Sequence, residues 1–204
     1  MHWLICKERT EIILLLFIWA NAFEERKEII FLSSNEDNWM IRDIMEIRTA
    51  TIADLAQIAA VEAECFPAAE AATKEEFAER IKYYGNHFWL MFEDEKLIAF
   101  VDGFVTDKPD LTDEMYERAE MHNENGAWQM IFGVNTIPAY RKHGYAGQLL
   151  QCAIEDARKQ GRKGLVLTCK EKLIAYYAKF GFVYEGISES VHGNVIWYQM
   201  RYKF

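Results

Sequence analysis

The stretch Arg141-Lys142-His143-Gly144-Tyr145-Ala146-Gly147 follows a predicted strand and opens a predicted helix. The helix is indicated by apolar residues at amphipathic spacing, namely Leu149, Leu150, Ala153, Ile154 and Ala157. Free backbone N–H groups at a helix start, beside small residues and the basic pair Arg141 and Lys142, can bind a pyrophosphate. A plain strand-to-helix connection would give the same short pattern, so the surrounding residues have to decide between the two.

Composition indicates one ordinary globular domain. The chain has 204 residues, of which 51% are hydrophobic and 27% charged, enough to bury one substantial core. The formal net charge of -9 supplies no countercharge for a phosphate backbone, so we expect no nucleic acid partner. Cationic small molecules suit this balance better.

Cysteine and histidine usage favours a reducing compartment without a metal site. The four cysteines (Cys6, Cys65, Cys152 and Cys169) show no C-x-x-C spacing, and the five histidines show no ligand spacing. We therefore expect no metal and a cytoplasmic location.

Residues 1–44 read as an N-terminal extension whose status stays open. Their apolar run over residues 12–19 is shorter than the about 20 residues of a membrane span. Ala20-Asn21-Ala22 resembles a signal-peptide cleavage site, but Glu8 and Glu11 lie where basic residues are expected. A clean strand-then-helix pattern starts at Met45, so we predict one domain over residues 45–204.

Two capping boxes predict the first helices of this domain. Thr51 with Asp54, and Thr73 with Glu76, can each satisfy free N–H groups of the helix that follows. The first helix carries Leu55, Ile58, Ala59 and Glu62. Strands are predicted over 46–48, 87–92, 97–101, 127–135, 164–169, 182–185 and 195–202, and further helices over 110–121, from about 145 to 160, and over 172–180.

Over about residues 46–202 the chain resembles the GNAT superfamily of acyl-CoA-dependent N-acyltransferases. The resemblance rests on Arg141-x-x-Gly144-x-Ala146, the helix and strand that follow, and the run from Tyr176 to Phe182. The segments 64–67, 97–100, 111–113, 167–170 and 175–177 are similar to the aralkylamine (serotonin-type) N-acetyltransferase branch and its bacterial relatives. The implied fold is α/β (α+β), a mixed, mostly antiparallel sheet of six to seven strands, with splayed fourth and fifth strands and about four flanking helices.

The resemblance also implies where the co-substrate acetyl-CoA binds. Its pantetheine arm is expected along Val134, Asn135 and Thr136. Its pyrophosphate is expected on the loop residues Arg141, Lys142, His143, Gly144, Tyr145, Ala146 and Gly147. Tyr177 matches the family's tyrosine that protonates the departing thiolate.

The sequence differs from the animal serotonin-type enzymes in the residues that would act as general base. The resemblance implies two histidines on the fourth strand of those enzymes, and the corresponding positions here are Met130 and Phe132. Glu64, His122 and His192 are the candidate bases, each with an ordinary structural alternative. Cys169 could in principle accept the acetyl group first, although a small buried hydrophobe is the simpler interpretation. The substrate pocket is expected to use Phe66, Pro67, Phe132 and either Trp197 or Tyr198.

These patterns predict an acetyl-CoA-dependent N-acetyltransferase that acts by direct attack on a small primary amine, most simply an arylalkylamine. Alternatives are a polyamine, an amino sugar or a protein amino group as acceptor, and a non-catalytic acyl-CoA-binding module. Acidic residues around the pocket would favour the polyamine. A monomer and a homodimer are both compatible with the sequence.

Overall fold

The computed structural model describes residues 45–204, so the predictions made for residues 1–44 lie outside the described residues. The strands of this part are β1 (Met45–Thr49), β2 (Phe88–Glu93), β3 (Lys96–Thr106), β4 (Trp128–Thr136), β5 (Gly164–Cys169), β6 (Val183–Ile187) and β7 (Tyr198–Lys203). The α-helices are α1 (Leu55–Cys65), α2 (Lys74–Tyr84), α3 (Glu114–Glu117), α4 (Tyr145–Lys159) and α5 (Ile174–Ala178).

The seven strands form one sheet in the order β1-β2-β3-β4-β5-β7-β6. In it β4 and β5 are parallel, and the other neighbouring strands are antiparallel. This confirms the predicted mixed, mostly antiparallel sheet. Three long helices and two helices of four and five residues correspond to the predicted set of about four.

Both predicted capping boxes are present. At the start of α2 the Thr73 hydroxyl accepts a hydrogen bond from the Glu76 backbone at 3.2 Å, and the Glu76 carboxylate accepts one from the Thr73 backbone at 2.6 Å. The Thr51 box opens a short 3₁₀ turn that leads directly into α1. These local bonds satisfy N–H groups that a helix start leaves free, so they fix where α1 and α2 begin.

The core lies on both faces of β3. Every residue from Leu97 to Thr106 is buried, which requires cover on each side of the sheet. Helices α1 and α2 cover one face, and α4 covers the other with the apolar stripe predicted for it. Each fully buried leucine or isoleucine of that stripe contributes about 1.5–3 kcal/mol.

The parallel strands β4 and β5 separate halfway along their length. Their pairing runs from Trp128 opposite Gly164 to Ile131 opposite Leu167, and the register goes no further. At this point β4 also bulges against β3, because Gly103 pairs with Ile131 and Asp102 with Gly133, which leaves Phe132 as the extra residue. The predicted splay of the fourth and fifth strands is therefore confirmed.

The predicted helix over 110–121 and the predicted strand over 195–202 are both shorter in the structure. The helix expected over 110–121 is reduced to α3 and a 3₁₀ turn at Ala119–Met121, because Arg118 leaves helical backbone angles at φ -121° and ψ 84°. The last strand begins at Tyr198 rather than at residue 195, since the residues before it belong to a loop with a 3₁₀ turn at His192–Asn194.

Within residues 45–204 no helix has the length and apolar character needed to cross a bilayer.

Candidate active site

A cavity of about 980 Å³ lies where β4 and β5 separate. Its walls come from the end of α1, the α1–α2 loop, the outer halves of β4 and β5, the start of α4, α5 and the β6–β7 loop. The cavity joins the loop that precedes α4 to a group of buried polar side chains beside α1. We call these two regions the loop end and the acid end.

The loop end contains most of the residues predicted to bind a pyrophosphate. Arg141, Lys142, Gly144, Tyr145 and Ala146 line the cavity, whereas His143 and Gly147 do not. The turn needs left-handed backbone at Lys142 (φ 71°) and Gly144 (φ 85°), and α4 begins directly after it. A ligand there would meet free N–H groups and the positive end of the helix dipole.

Helix packing requires a glycine at position 147. A Cβ at this position would lie 2.8 Å from the ring of Phe180, so the missing side chain allows α4 to pack against the residues after α5. Gly144 is open, since nothing lies within 4 Å of a Cβ built there. Close approach of an anion is therefore possible at Gly144, and close helix packing explains Gly147.

The β4 residues predicted to hold the pantetheine arm divide between two environments. Val134 and Thr136 line the cavity, whereas Asn135 is fully buried beside the Glu62 carboxyl. Alternation of side chains along a strand explains the division. Backbone groups of this part of β4 that point away from β3 face the cavity, because β5 has already separated.

Tyr177 lies between the two ends. It is buried, lines the cavity, and packs edge-on against Tyr176 and Phe182 at centroid distances of 5.2 and 6.1 Å. Burial and the nearby Cys169 thiol raise the pKa of Tyr177 well above its ordinary value. The phenol therefore keeps its proton at neutral pH and can donate it.

The three predicted bases have different positions. Glu64 is exposed on α1 and lies outside the cavity walls. His122 also lies outside them, where its Nδ1 accepts a hydrogen bond from the Val105 backbone at 3.2 Å. His192 does line the cavity, but its Nε2 is 3.1 Å from the Glu70 carbonyl, to which it can donate.

Sequence reasoning missed Glu62, a buried carboxyl that lines the cavity. The residue is only 6% exposed; its Oε1 accepts from the Ala72 backbone at 3.1 Å, and its Oε2 is buried without a hydrogen-bond partner among the described residues. Burial, followed by the charge of Asp102, raises the pKa of Glu62 to about 7. The sequence signal for its burial was its position four residues after Ile58, which places it on the apolar side of α1.

A buried ion pair lies behind Glu62. Arg80 Nη1 is 3.3 Å from Asp102 Oδ2, and Arg80 Nη2 donates to the Tyr116 carbonyl at 3.1 Å. Gly133 makes room for the pair, because a Cβ there would lie 2.5 Å from Asp102 Oδ1 and 3.0 Å from the Asn135 amide. Burial raises the pKa of Asp102, and Arg80 opposes that rise.

Four of the five residues considered for the substrate pocket line the cavity, namely Phe66, Pro67, Phe132 and Trp197. Of the two alternatives at residues 197 and 198, Trp197 lines the cavity and Tyr198 does not. Tyr198 is the first residue of β7 and its ring lies 6.0 Å from that of Tyr184 on β6. Tyr116, which was not predicted, stacks on His192 at a centroid distance of 5.3 Å and contacts the tilted ring of Phe132 at 4.8 Å.

A histidine cluster that the spacing did not indicate lies outside the cavity. In the described part of the chain, ligand atoms of His87, His122 and Glu124 lie within 4.8 Å of one another. Hydrogen bonds already occupy them: His122 Nδ1 accepts from Val105, so its Nε2 carries the proton of the neutral ring and faces Glu124 at 3.3 Å. This arrangement does not suit a metal ligand.

Residues 55–182 match the profile of the acetyltransferase (GNAT) family. The chain belongs to the GNAT acetyltransferase family. No curated protein sequence matches it.

Solved structures agree with this family fold. The loading GNATL domain of CurA from Lyngbya majuscula is similar at 16% identity and a TM-score of 0.69, with 79% of this chain and 98% of that chain covered. The GphF GNAT-like decarboxylase in complex with isobutyryl-CoA is similar at 21% identity and a TM-score of 0.67, with 78% of this chain and 98% of that chain covered. Naa50 from Arabidopsis thaliana, in complex with the bisubstrate analogue CoA-Ac-MVNAL, is similar at 18% identity and a TM-score of 0.62. The similarity covers 78% of this chain and 99% of that chain.

A GNAT family fold implies an acyl-CoA co-substrate, and the residues here fit one. The loop end offers N–H groups at a helix start together with Arg141 and Lys142. Beyond Ile131 the side of β4 that faces β5 has no sheet partner, and Thr136 Oγ1 is buried there without a hydrogen-bond partner in the described residues. An amide-bearing arm that lies along β4 can satisfy such groups.

Proposed function

We propose that this chain is an acetyl-CoA-dependent N-acetyltransferase that moves an acetyl group to a small primary amine by direct attack. The observation that carries the proposal is the single cavity, which contains the loop end, Tyr177 and the buried Glu62 carboxyl. The proposed catalytic unit is the domain over residues 45–204.

In this proposal the loop end holds the diphosphate. Backbone N–H groups from Lys142 to Ala146 donate to it, and the Arg141 and Lys142 side chains add positive charge. Val134 and Thr136 lie along the pantetheine arm. When bound, acetyl-CoA supplies the thioester carbonyl that is attacked and the thiolate that leaves.

Glu62 and Tyr177 would move the protons. The amine nitrogen forms a bond to the acetyl carbon while the carbon–sulfur bond breaks, so a primary ammonium loses two protons in all. Glu62 accepts the first of these and passes it to solvent, since a carboxyl with a pKa of about 7 is partly ionised at neutral pH. Tyr177 gives its own proton to the thiolate and takes the second from the nitrogen.

Direct attack is favoured over an acetyl-cysteine intermediate. Burial raises the pKa of the Cys169 thiol to about 11, so the sulfur remains protonated at neutral pH. A thiol in that state is a poor nucleophile.

The range of acceptors that the site supports is broader than the arylalkylamines. The cavity residues Phe66, Phe132 and Trp197 support an acceptor with an apolar portion, but they do not require an aromatic ring. The decarboxylase among the similar structures also means that the fold alone does not specify transfer to nitrogen.

The test is release of free thiol from acetyl-CoA by the purified chain, with a panel of arylalkylamines, polyamines, amino sugars and peptides. Stimulation by an amine, with an acetylated product identified by mass spectrometry, supports the transferase. Tyr177→Phe should lower kcat about 100-fold without changing acetyl-CoA affinity, while Tyr184→Phe, on the exposed strand β6, serves as the control. Tight acetyl-CoA binding without stimulated release by any amine would instead favour a non-catalytic module.

A further inference from the structure

Most of the carboxylates that line the cavity have no cationic partner. Six carboxylates line it, Glu62, Glu70, Glu76, Asp102, Asp113 and Glu117, and two of its five cations, Arg80 and Lys170, pair with them. Among residues 45–204, four of the six carboxylates are therefore left without a salt bridge. The remaining cations of the cavity, Arg141, Lys142 and Lys172, lie beside α4 and α5.

Internal contacts neutralise only part of this charge. Asp102 is paired with Arg80, and Glu70 with Lys170 at 2.8 Å. Asp113 accepts hydrogen bonds from the Ser190 hydroxyl and the Val191 backbone, which bring no positive charge. Within residues 45–204, no salt bridge involves Glu62, Glu76 or Glu117.

Two of these carboxylates also keep an unused oxygen away from water. The side chain of Glu70 is 7% exposed, and Glu62 as a residue is 6% exposed. In both, Oε2 is buried without a hydrogen-bond partner among the described residues. Burial of a carboxylate oxygen without a hydrogen-bond donor costs free energy. A ligand that brings N–H donors into this end can therefore donate to two separate oxygens.

We propose that the acceptor is a flexible aliphatic di- or polyamine, in which one nitrogen is acetylated while at least one further ammonium remains charged at the acid end. A monoamine brings one positive charge to these four carboxylates, whereas a diamine or triamine brings two or three. Phe66, Phe132 and Trp197 suit the alkyl segments, and aromatic faces attract ammonium groups. This inference rests on the proposed function, because it assigns the acceptor of the same site.

The test compares amines that differ in charge but not in chain length. With acetyl-CoA saturating, kcat/KM is measured for 1,4-diaminobutane, 1-aminobutane and 2-phenylethylamine, and mass spectrometry identifies the products. One additional charge-assisted contact predicts a preference of about tenfold for the diamine over 1-aminobutane. Added salt should reduce that preference, because it screens the partly exposed carboxylates.

Charge-neutral variants connect the preference to the acid end. Glu117→Gln and Glu70→Gln should raise KM several-fold more for the diamine than for 1-aminobutane. Glu114→Gln is the matched control, because Glu114 is on the same helix α3, pairs with Arg118 at 2.6 Å and does not line the cavity. The control should keep the wild-type preference.

Each outcome separates this inference from the function on which it rests. Equal use of the diamine and 1-aminobutane, or preference for 2-phenylethylamine, would overturn the polyamine assignment and leave the transferase standing. If no amine is acetylated, the proposed function fails, and calorimetric titration of 1,4-diaminobutane into the CoA-saturated protein decides the inference. Binding that Glu117→Gln weakens and Glu114→Gln does not would support a polycation site, and no binding would refute it.

Discussion

Glu62→Gln is expected to stabilise the folded protein above neutral pH while lowering its activity. In the folded protein the pKa of Glu62 is about 7 instead of 4.5, because burial and the charge of Asp102 oppose ionisation. Between these two pH values the folded state therefore binds more protons at this site than the unfolded state. The free energy of unfolding that depends on Glu62 then falls as pH rises.

The magnitude follows from the two pKa values. At about 1.4 kcal/mol per pH unit, the rise of pKa corresponds to a loss of about 3 kcal/mol across that window. Glutamine does not titrate and keeps the oxygen that accepts from Ala72, so the variant avoids this loss. The assay is urea unfolding of both proteins near pH 4.5 and near pH 8, where the stability of the variant relative to wild type should differ by about 3 kcal/mol.

Glu64→Gln is the control, because it removes the same charge from an exposed position on the same helix. It should follow the wild-type pH dependence. If Glu62→Gln and wild type lose stability in parallel between the two pH values, the proposed burial and titration of Glu62 are refuted. In activity assays, kcat/KM of the wild type should rise with pH through about 7, and Glu62→Gln should lose this inflection together with about 100-fold in kcat.

Three further perturbations test separate parts of the site. Tyr177→Phe should lower kcat by a similar factor across the whole assayed pH range, because the raised pKa of the phenol keeps it protonated throughout, and a loss confined to alkaline pH would argue against that protonated state. Gly133→Ala should lower the free energy of unfolding by about 2–4 kcal/mol in urea titrations, because its Cβ would displace the buried Asp102 carboxylate; a neutral change would contradict that packing. Cys65 lines the cavity, so acetyl-CoA should slow its alkylation in peptide mapping, and equal rates with and without acetyl-CoA would contradict the proposed binding path.

The parts of the fold that depend on residues close together in the sequence could be predicted from the sequence. Thr73 and Glu76 are three positions apart, and the stripe on α4 repeats within each turn, so each signal is complete within a short segment. The bulge at Phe132 could not be predicted in this way. It depends on the register between β3 and β4, which contact far outside the segment.

The candidate site shows the same division. The loop before α4 and Tyr177 were predicted from motifs, and the structure brings both to one cavity. The predicted base Glu64 is exposed, whereas Glu62 lines the cavity. Residues two positions apart on a helix point to nearly opposite sides, and Glu62 shares the side of the buried Ile58.

Tyr198 illustrates a different limit. The run from Val195 to Tyr198 is apolar throughout, so it gives no alternation from which to decide which side chain faces inward. In the structure β7 begins at Tyr198, and Trp197, the residue before the strand, lines the cavity.

The separation of β4 from β5 gives this sheet an edge inside the molecule. An ordinary sheet edge is open to any passing extended chain, and proteins protect it with charges, prolines or short strands. Here the open edge of β4 lies between α1 and α4 and faces the cavity. Its backbone groups can therefore remain ready for a narrow, amide-bearing ligand and still be closed to the strands of other proteins.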